Sequence, residues 1–289
     1  MSVSIARSAD RRRPILHGLA LAGVIVAVWM YAIVGDPTWR EPGKDALVYW
    51  GVDPADPYAG STVGGANAYL YSPAFAQAFA VFAWLPREVF VGVWIVLLAA
   101  VALWLARPWP AALLALALPV SQEVLIGNIH LLLAAAMVVG LRWPAAWAFV
   151  LLTKVTPGVG LLWFVVRREW RNLLVALGAT AAIATVSYLV APQQWLDWLG
   201  LLRSDGGQES GRLLIRLAVA AAVVTWGAWT DRAWTVPLAG LIALPVIWAD
   251  SFSMLLGCVA LSRWRARGRP TEPSPPADPS PAAAPATTR

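Results

Sequence analysis

Residues 15–34 read ILHGLALAGVIVAVWMYAIV, and the polar stretch that follows includes Gly43-Lys44-Asp45-Ala46-Leu47-Val48-Tyr49. An apolar run of about 20 residues matches the roughly 30 Å hydrocarbon core of a bilayer. Arg11, Arg12 and Arg13 precede it, as they would in a secretory leader. The run exceeds the roughly 7–15 residues of a leader's apolar region, however, and no small-x-small cleavage site follows. We therefore expect a retained first helix, with Asp45 in a polar loop just beyond its end.

The whole chain agrees with a membrane setting. Its 289 residues are 59% hydrophobic and 13% charged, with a mean hydropathy of +0.63. Soluble domains carry about 25% charged residues. The expected fold class is an all-α polytopic membrane protein, a bundle of roughly ten segments, several of them short. Eighteen tryptophans are more than an interfacial belt needs, but Trp29, Trp84, Trp109, Trp143 and Trp170 all fall near expected span ends. The net charge of +6 does not point to nucleic acid. Its cations gather at span ends: Arg11 to Arg13, Arg167 and Arg168 with Arg171, and Arg263, Arg265, Arg267 and Arg269. Such clusters mark cytoplasmic flanks and contact anionic lipid. Cys258 is the one cysteine, so no internal disulfide or Cys-based zinc site forms.

Three parts follow: a basic N-terminus at 1–14, a polytopic domain at 15–262, and a basic, Pro/Ala-rich tail at 263–289. Seven of the last twenty residues are proline, which leaves no apolar face to bury. With the N-terminus in the cytoplasm, the loop at 35–72 lies outside. It carries Arg40 and Lys44 against Asp36, Glu41, Asp45, Asp53 and Asp56. Residues 73–85 form a piece too short to span, bounded by Pro73 and Pro86, and are expected to be re-entrant or juxtamembrane. Spans are then expected at 89–106, 111–120, 131–141, 144–153, 158–166, 173–190, 213–229, 234–248 and 252–261, with an external loop at 191–211. Spans this short are tolerated where they are buried in protein or line a cavity.

Ionisable residues at membrane depth are costly and are usually functional. Asp45 lies in the first external loop with Tyr49 and Tyr71. Ser121-Gln122-Glu123 and Gly127-Asn128-Ile129-His130 occupy the next expected turn. Lys154 falls between two half-length apolar segments, before Pro157, where it either offers an ammonium to a lipid phosphate or snorkels. Arg212 and Arg216 share a helix face and either bind phosphate or flank a span. Asp250 follows Trp248. No repeat, P-loop, glycine-rich phosphate cradle or His-rich metal pattern is present.

These residues in this order resemble glycosyltransferase family 87. The likeness rests on Asp45 with Tyr49, Asp56-Pro57-Tyr58, Tyr69-x-Tyr71-Ser72-Pro73, Gly127-Asn128-x-His130, Lys154-x-x-Pro157, Arg167-Arg168-x-Trp170, and Ser210 to Arg216. The resemblance implies a GT-C fold and transfer of a hexose, mannose first, from a polyprenyl phosphate to a glycolipid or glycan acceptor. It also implies a multi-pass protein of a bacterial plasma membrane with an extracytoplasmic site. Asp45 would be the general base. Lys154, Arg212 and Arg216 would hold phosphate, with Tyr49, Tyr71, Asn128, His130 and Asp250 around the substrate. No metal or cofactor is expected, since the phosphate is already a good leaving group. Two departures stand out. Where the family often has Trp-x-His, this chain has Trp248-Ala249-Asp250, and His130 occupies a position that is often Asn. An arabinofuranosyltransferase of the same fold and a non-catalytic lipid-binding or lipid-translocating protein remain alternatives.

Overall fold

The computed structural model describes residues 42–62, 68–204 and 209–262. The expected first span, the N-terminal arginines and the tail lie outside these residues. All regular structure in the described residues is helical. In chain order the α-helices are α1 (Lys44–Trp50), α2 (Pro73–Ala80), α3 (Arg87–Ala106), α4 (Ala112–Ala115), α5 (Ala117–Ile126), α6 (His130–Gly140), α7 (Trp147–Thr153), α8 (Leu162–Val166), α9 (Trp170–Val190), α10 (Pro192–Ser204), α11 (Glu209–Trp229), α12 (Thr235–Ile242) and α13 (Leu255–Leu261). Short 3₁₀ segments at Pro144–Ala146, Thr156–Leu161 and Asp250–Met254 complete the set.

Three described helices are long and apolar enough to cross a bilayer: Arg87–Ala106, Trp170–Val190 and Gly211–Trp229. A fourth crossing arises if α5 and α6, bent by 107° at their junction, count as one span. The expectation of roughly ten segments, several of them short, is thus not confirmed among the described residues. The expected spans near 144–153, 158–166 and 252–261 exist as shorter apolar helices. The boundary between α5 and α6 also differs from the expected turn. Ser121, Gln122 and Glu123 are helical, and the break narrows to Gly127–Ile129.

The loop expected at 191–211 contains α10. Pro192 begins this helix, where a missing N–H costs nothing. Trp195 and Trp198 then pack edge to face, with centroids 5.5 Å apart. Gln194 donates to the Pro54 carbonyl at 2.6 Å, and the Trp198 indole donates to the Leu70 carbonyl at 3.1 Å. These side chains tie α10 at two points to the segment between α1 and α2.

An aromatic seam joins the loop to the bundle. Tyr49 of α1 packs against Phe75 and Phe79 of α2 and Trp94 of α3, with centroids 5.4 to 5.9 Å apart across the seam. Edge-to-face pairs of this kind add about 0.5–1.5 kcal/mol each beyond area burial. Pro73 opens α2, and Phe75, Ala76 and Phe79 form its buried stripe. Residues 73–85, expected to be re-entrant or juxtamembrane, hold a short helix that ends at Ala80. In contrast α9 keeps most of its surface outward, with Leu174, Leu189 and Val190 well exposed, as suits a lipid-facing helix.

Candidate active site

Three chain breaks bring the polar residues together. The first follows α5. Gly127 adopts φ 77°, and a Cβ there would lie 2.7 Å from the Ala46 side chain. Only glycine fits both the left-handed backbone and this close approach. The Trp94 indole donates to the Gly127 carbonyl at 2.8 Å, and the Gly43 N–H donates to the Leu125 carbonyl at 2.7 Å. α1 is therefore seated directly on the bend, which brings Asp45 beside Asn128.

The second break follows α7. Lys154 leaves the helix in an extended conformation (φ −132°, ψ 108°), and a 3₁₀ turn containing Pro157 follows. The third lies between α12 and α13, where Asp250 opens a 3₁₀ turn. The Ser251 hydroxyl secures that turn by accepting the Trp248 N–H at 3.1 Å.

Asn128 donates through Nδ2 to Asp45 Oδ2 at 2.6 Å and to Asp250 Oδ2 at 3.2 Å. Its Oδ1 accepts the Ile129 N–H at 2.7 Å and the Tyr49 hydroxyl at 3.4 Å. The Tyr49 and Tyr71 hydroxyls lie 3.1 Å apart. His130 Nδ1 stands 3.0 Å from Glu123 Oε2 and 3.1 Å from Asp250 Oδ2, while its Nε2 is 2.8 Å from Lys154 Nζ. Asp45, Tyr49, Tyr71, Asn128, His130, Lys154 and Asp250, each singled out in the sequence, thus form one continuous polar cluster.

Burial raises the Asp45 carboxyl above the ordinary carboxylate range, and the Asp250 charge raises it further. Lys154, His130 and Lys44 oppose that rise. The result is a half-buried carboxyl that is a better proton acceptor than a free aspartate.

Glu123 is the member that sequence reading flagged without including in the site. It is fully buried, and its second oxygen accepts the Leu131 N–H at 3.1 Å. The available signal was an acid seven residues before His130 across a Gly-Asn break. The two arginines are placed elsewhere. Arg216 donates to the carbonyls of Leu244 and Pro245 at 3.1 and 2.8 Å. It thereby satisfies backbone left open where α12 ends. Arg212, one turn earlier, is exposed.

Glu123, His130 and Asp250 offer possible metal-ligand atoms within 4.8 Å of one another. In this structure those atoms hydrogen-bond to one another, and the Lys154 amine occupies the other side of the imidazole. An ion held there would stand close to the Lys154 amine, 2.8 Å from the other ring nitrogen.

Among the described residues, short and broken helices converge on a buried polar cluster, an arrangement suited to work on a substrate at the membrane. The sequence matches the model of glycosyltransferase family 87 over residues 69–274, most of the chain, and the protein belongs to that family. It is accordingly a membrane glycosyltransferase. The matched region begins at Tyr69, so α1 and Asp45 lie outside it. No curated protein and no solved structure matches the chain.

Proposed function

We propose that this chain transfers a hexose, in the first instance mannose, from a polyprenyl-phosphate donor to a glycolipid or glycan acceptor. In this reading an acceptor hydroxyl oxygen attacks the anomeric carbon, and the bond from that carbon to the phosphate oxygen breaks. Asp45 takes the hydroxyl proton, and the polyprenyl phosphate leaves as an anion. One displacement inverts the centre, so a β-linked donor gives an α-linked product. The observation that carries the reading is the juxtaposition of a proton-accepting carboxyl, Asp45, with a cation, Lys154, through Asn128, Asp250 and His130. A general base and a charge-stabilising cation are what this transfer requires of a protein.

The departures from the family pattern are mutually compensating. Asp250 replaces the usual histidine, but His130 brings an imidazole within 3.1 Å of it from another helix. This favours a working site over a degenerate one. Arginine clusters at span ends support an extracytoplasmic location for Asp45 in a bacterial plasma membrane.

Transfer from radiolabelled polyprenyl-phosphate mannose and arabinofuranose, in membranes expressing the chain, tests donor and activity together. Mannose transfer above that of control membranes is expected. Arabinose transfer alone would change the sugar, and no transfer from either would overturn the reading. For sidedness, a cysteine at Ser61 should react with an impermeant thiol reagent from outside in a Cys258→Ser background. A cysteine at Glu169 should be protected, and the reverse pattern would invert the assignment.

A further inference from the structure

His130 can satisfy its contacts in one way if its neighbours keep their ordinary charges. Ionised carboxylates only accept hydrogen bonds, and an ammonium only donates them. Nδ1 faces Glu123 Oε2 at 3.0 Å and Asp250 Oδ2 at 3.1 Å, so Nδ1 must carry hydrogen. Nε2 faces Lys154 Nζ at 2.8 Å, so Nε2 must offer its lone pair. The Ser251 hydroxyl, 3.4 Å from Nε2, fits either role. With Lys154 charged and both carboxylates ionised, the ring is neutral with its proton on Nδ1, whereas a neutral Lys154 would accept from an imidazolium over the same distance. The pair then holds a single positive charge, which we assign to the ammonium.

Glu123 is placed to enforce this state. Its carboxylate spans the 107° bend, with Oε1 on the Leu131 N–H and Oε2 on the ring. Both of its partners are donors. Asp250 divides Oδ2 between the ring and Asn128, whereas Glu123 commits one oxygen to each donor. We infer that Glu123 is a positioning residue: by fixing the Nδ1–H tautomer of His130 it anchors one N–H of Lys154 and leaves the rest of the ammonium to face an incoming phosphate. The tautomer is independent of the donor, whereas the phosphate rests on the function proposed above.

Substituting glutamine makes the logic visible. An amide has one oxygen for two donors, and its NH₂ must then face either Leu131 N–H or His130 Nδ1. The ring relieves that conflict by moving its proton to Nε2, which turns an N–H toward the Lys154 ammonium. Removing groups that orient a functional ligand from outside costs about 10- to 100-fold at metal sites. By analogy we expect Glu123→Gln to lower transfer by at least about tenfold.

The chain has two histidines, so His17→Gln leaves His130 as the one imidazole. Nitrogen NMR of ¹⁵N-histidine-labelled protein in detergent then reads its protonation directly. We expect a neutral ring with hydrogen on Nδ1, and an Nε2–H population on adding Glu123→Gln. A ring protonated on both nitrogens, or on Nε2 alone, would overturn the inference before any variant is made. So would an unchanged Nδ1–H ring in folded Glu123→Gln, because a merely structural glutamate leaves the tautomer alone. The spectrum needs no sugar donor. An inactive wild-type protein would therefore count against the proposed donor without touching the tautomer result.

Discussion

Arg167 lies between Glu169 and Asp231, at 2.9 and 2.7 Å, with side chains 21 to 51% exposed. His130 lies between Glu123 and Asp250, at 3.0 and 3.1 Å, with none of the three more than 2% exposed. The two groups have the same plan, a nitrogen base held by two carboxylates, but different surroundings. Around Arg167 water screens the charges. Asn172 donates to Glu169, the Trp163 ring lies 5.0 Å from the guanidinium, and Arg167 also donates to the Ala228 carbonyl. That arrangement fastens α8 to α11. Around His130 each charge has lost its hydration, a cost of several kcal/mol per ion even after relaxation. A packed apolar core would stabilise the fold at least as well. The buried group is therefore better explained by what it does than by what it holds together.

The sharpest way to break this contrast is Asp45→Asn. Loss of a general base should lower transfer by about 10²-fold or more. The same change should not destabilise the protein. Because the folded-state pKa of Asp45 is raised, the folded form binds the carboxyl proton more tightly than the unfolded chain does. Ionising Asp45 therefore subtracts stability as pH rises from the unfolded value through the folded one. Asparagine, permanently neutral, removes that penalty and can still accept from Asn128. Thermal melting at neutral pH should be equal to or above wild type, and a clear drop would mean that Asp45 is structural. In the wild-type protein transfer should rise with pH through the raised Asp45 value, as the base form appears.

Lys154→Met should come next. It keeps much of the apolar stem and deletes the ammonium, so donor KM should rise and kcat should fall together. Lys154→Arg should rescue in part, since a planar fork is not a point charge. Kinetics close to wild type for Lys154→Met would reduce Lys154 to a snorkelling side chain.

On the exposed side, Asp231→Asn should cost about 0–1 kcal/mol in denaturant unfolding and leave transfer unchanged. A large loss of activity there would erase the distinction between the two groups. The smallest effect is expected from deleting residues 275–289, which lie beyond the family match. Expression and transfer should be unaffected.

Most of the cluster could be read from the sequence because an ionisable or amide side chain is conspicuous in an apolar chain. Asp45, Asn128, His130, Lys154 and Asp250 each stand out in that way. Glu123 was harder, because its role depends on a 107° bend that folds two helices back onto one polar point. Sequence placed it in a turn, whereas it is helical. Arg212 and Arg216 stand four apart on α11, but spacing along one helix does not say toward what its face is turned. Span number was poorly legible for a related reason. Apolar runs of 10 to 17 residues have the composition of a membrane helix without its length, and only packing decides whether they cross.

The grip of α10 on the segment between α1 and α2 has an evolutionary consequence. Gln194 and Trp198 hold the carbonyls of Pro54 and Leu70, groups that every residue type supplies. Side-chain identity at those two positions is thereby uncoupled from the attachment itself. Substitutions can accumulate in the loop while its moorings stay put, so descendants of this scaffold can explore new recognition surfaces without rebuilding the bundle beneath.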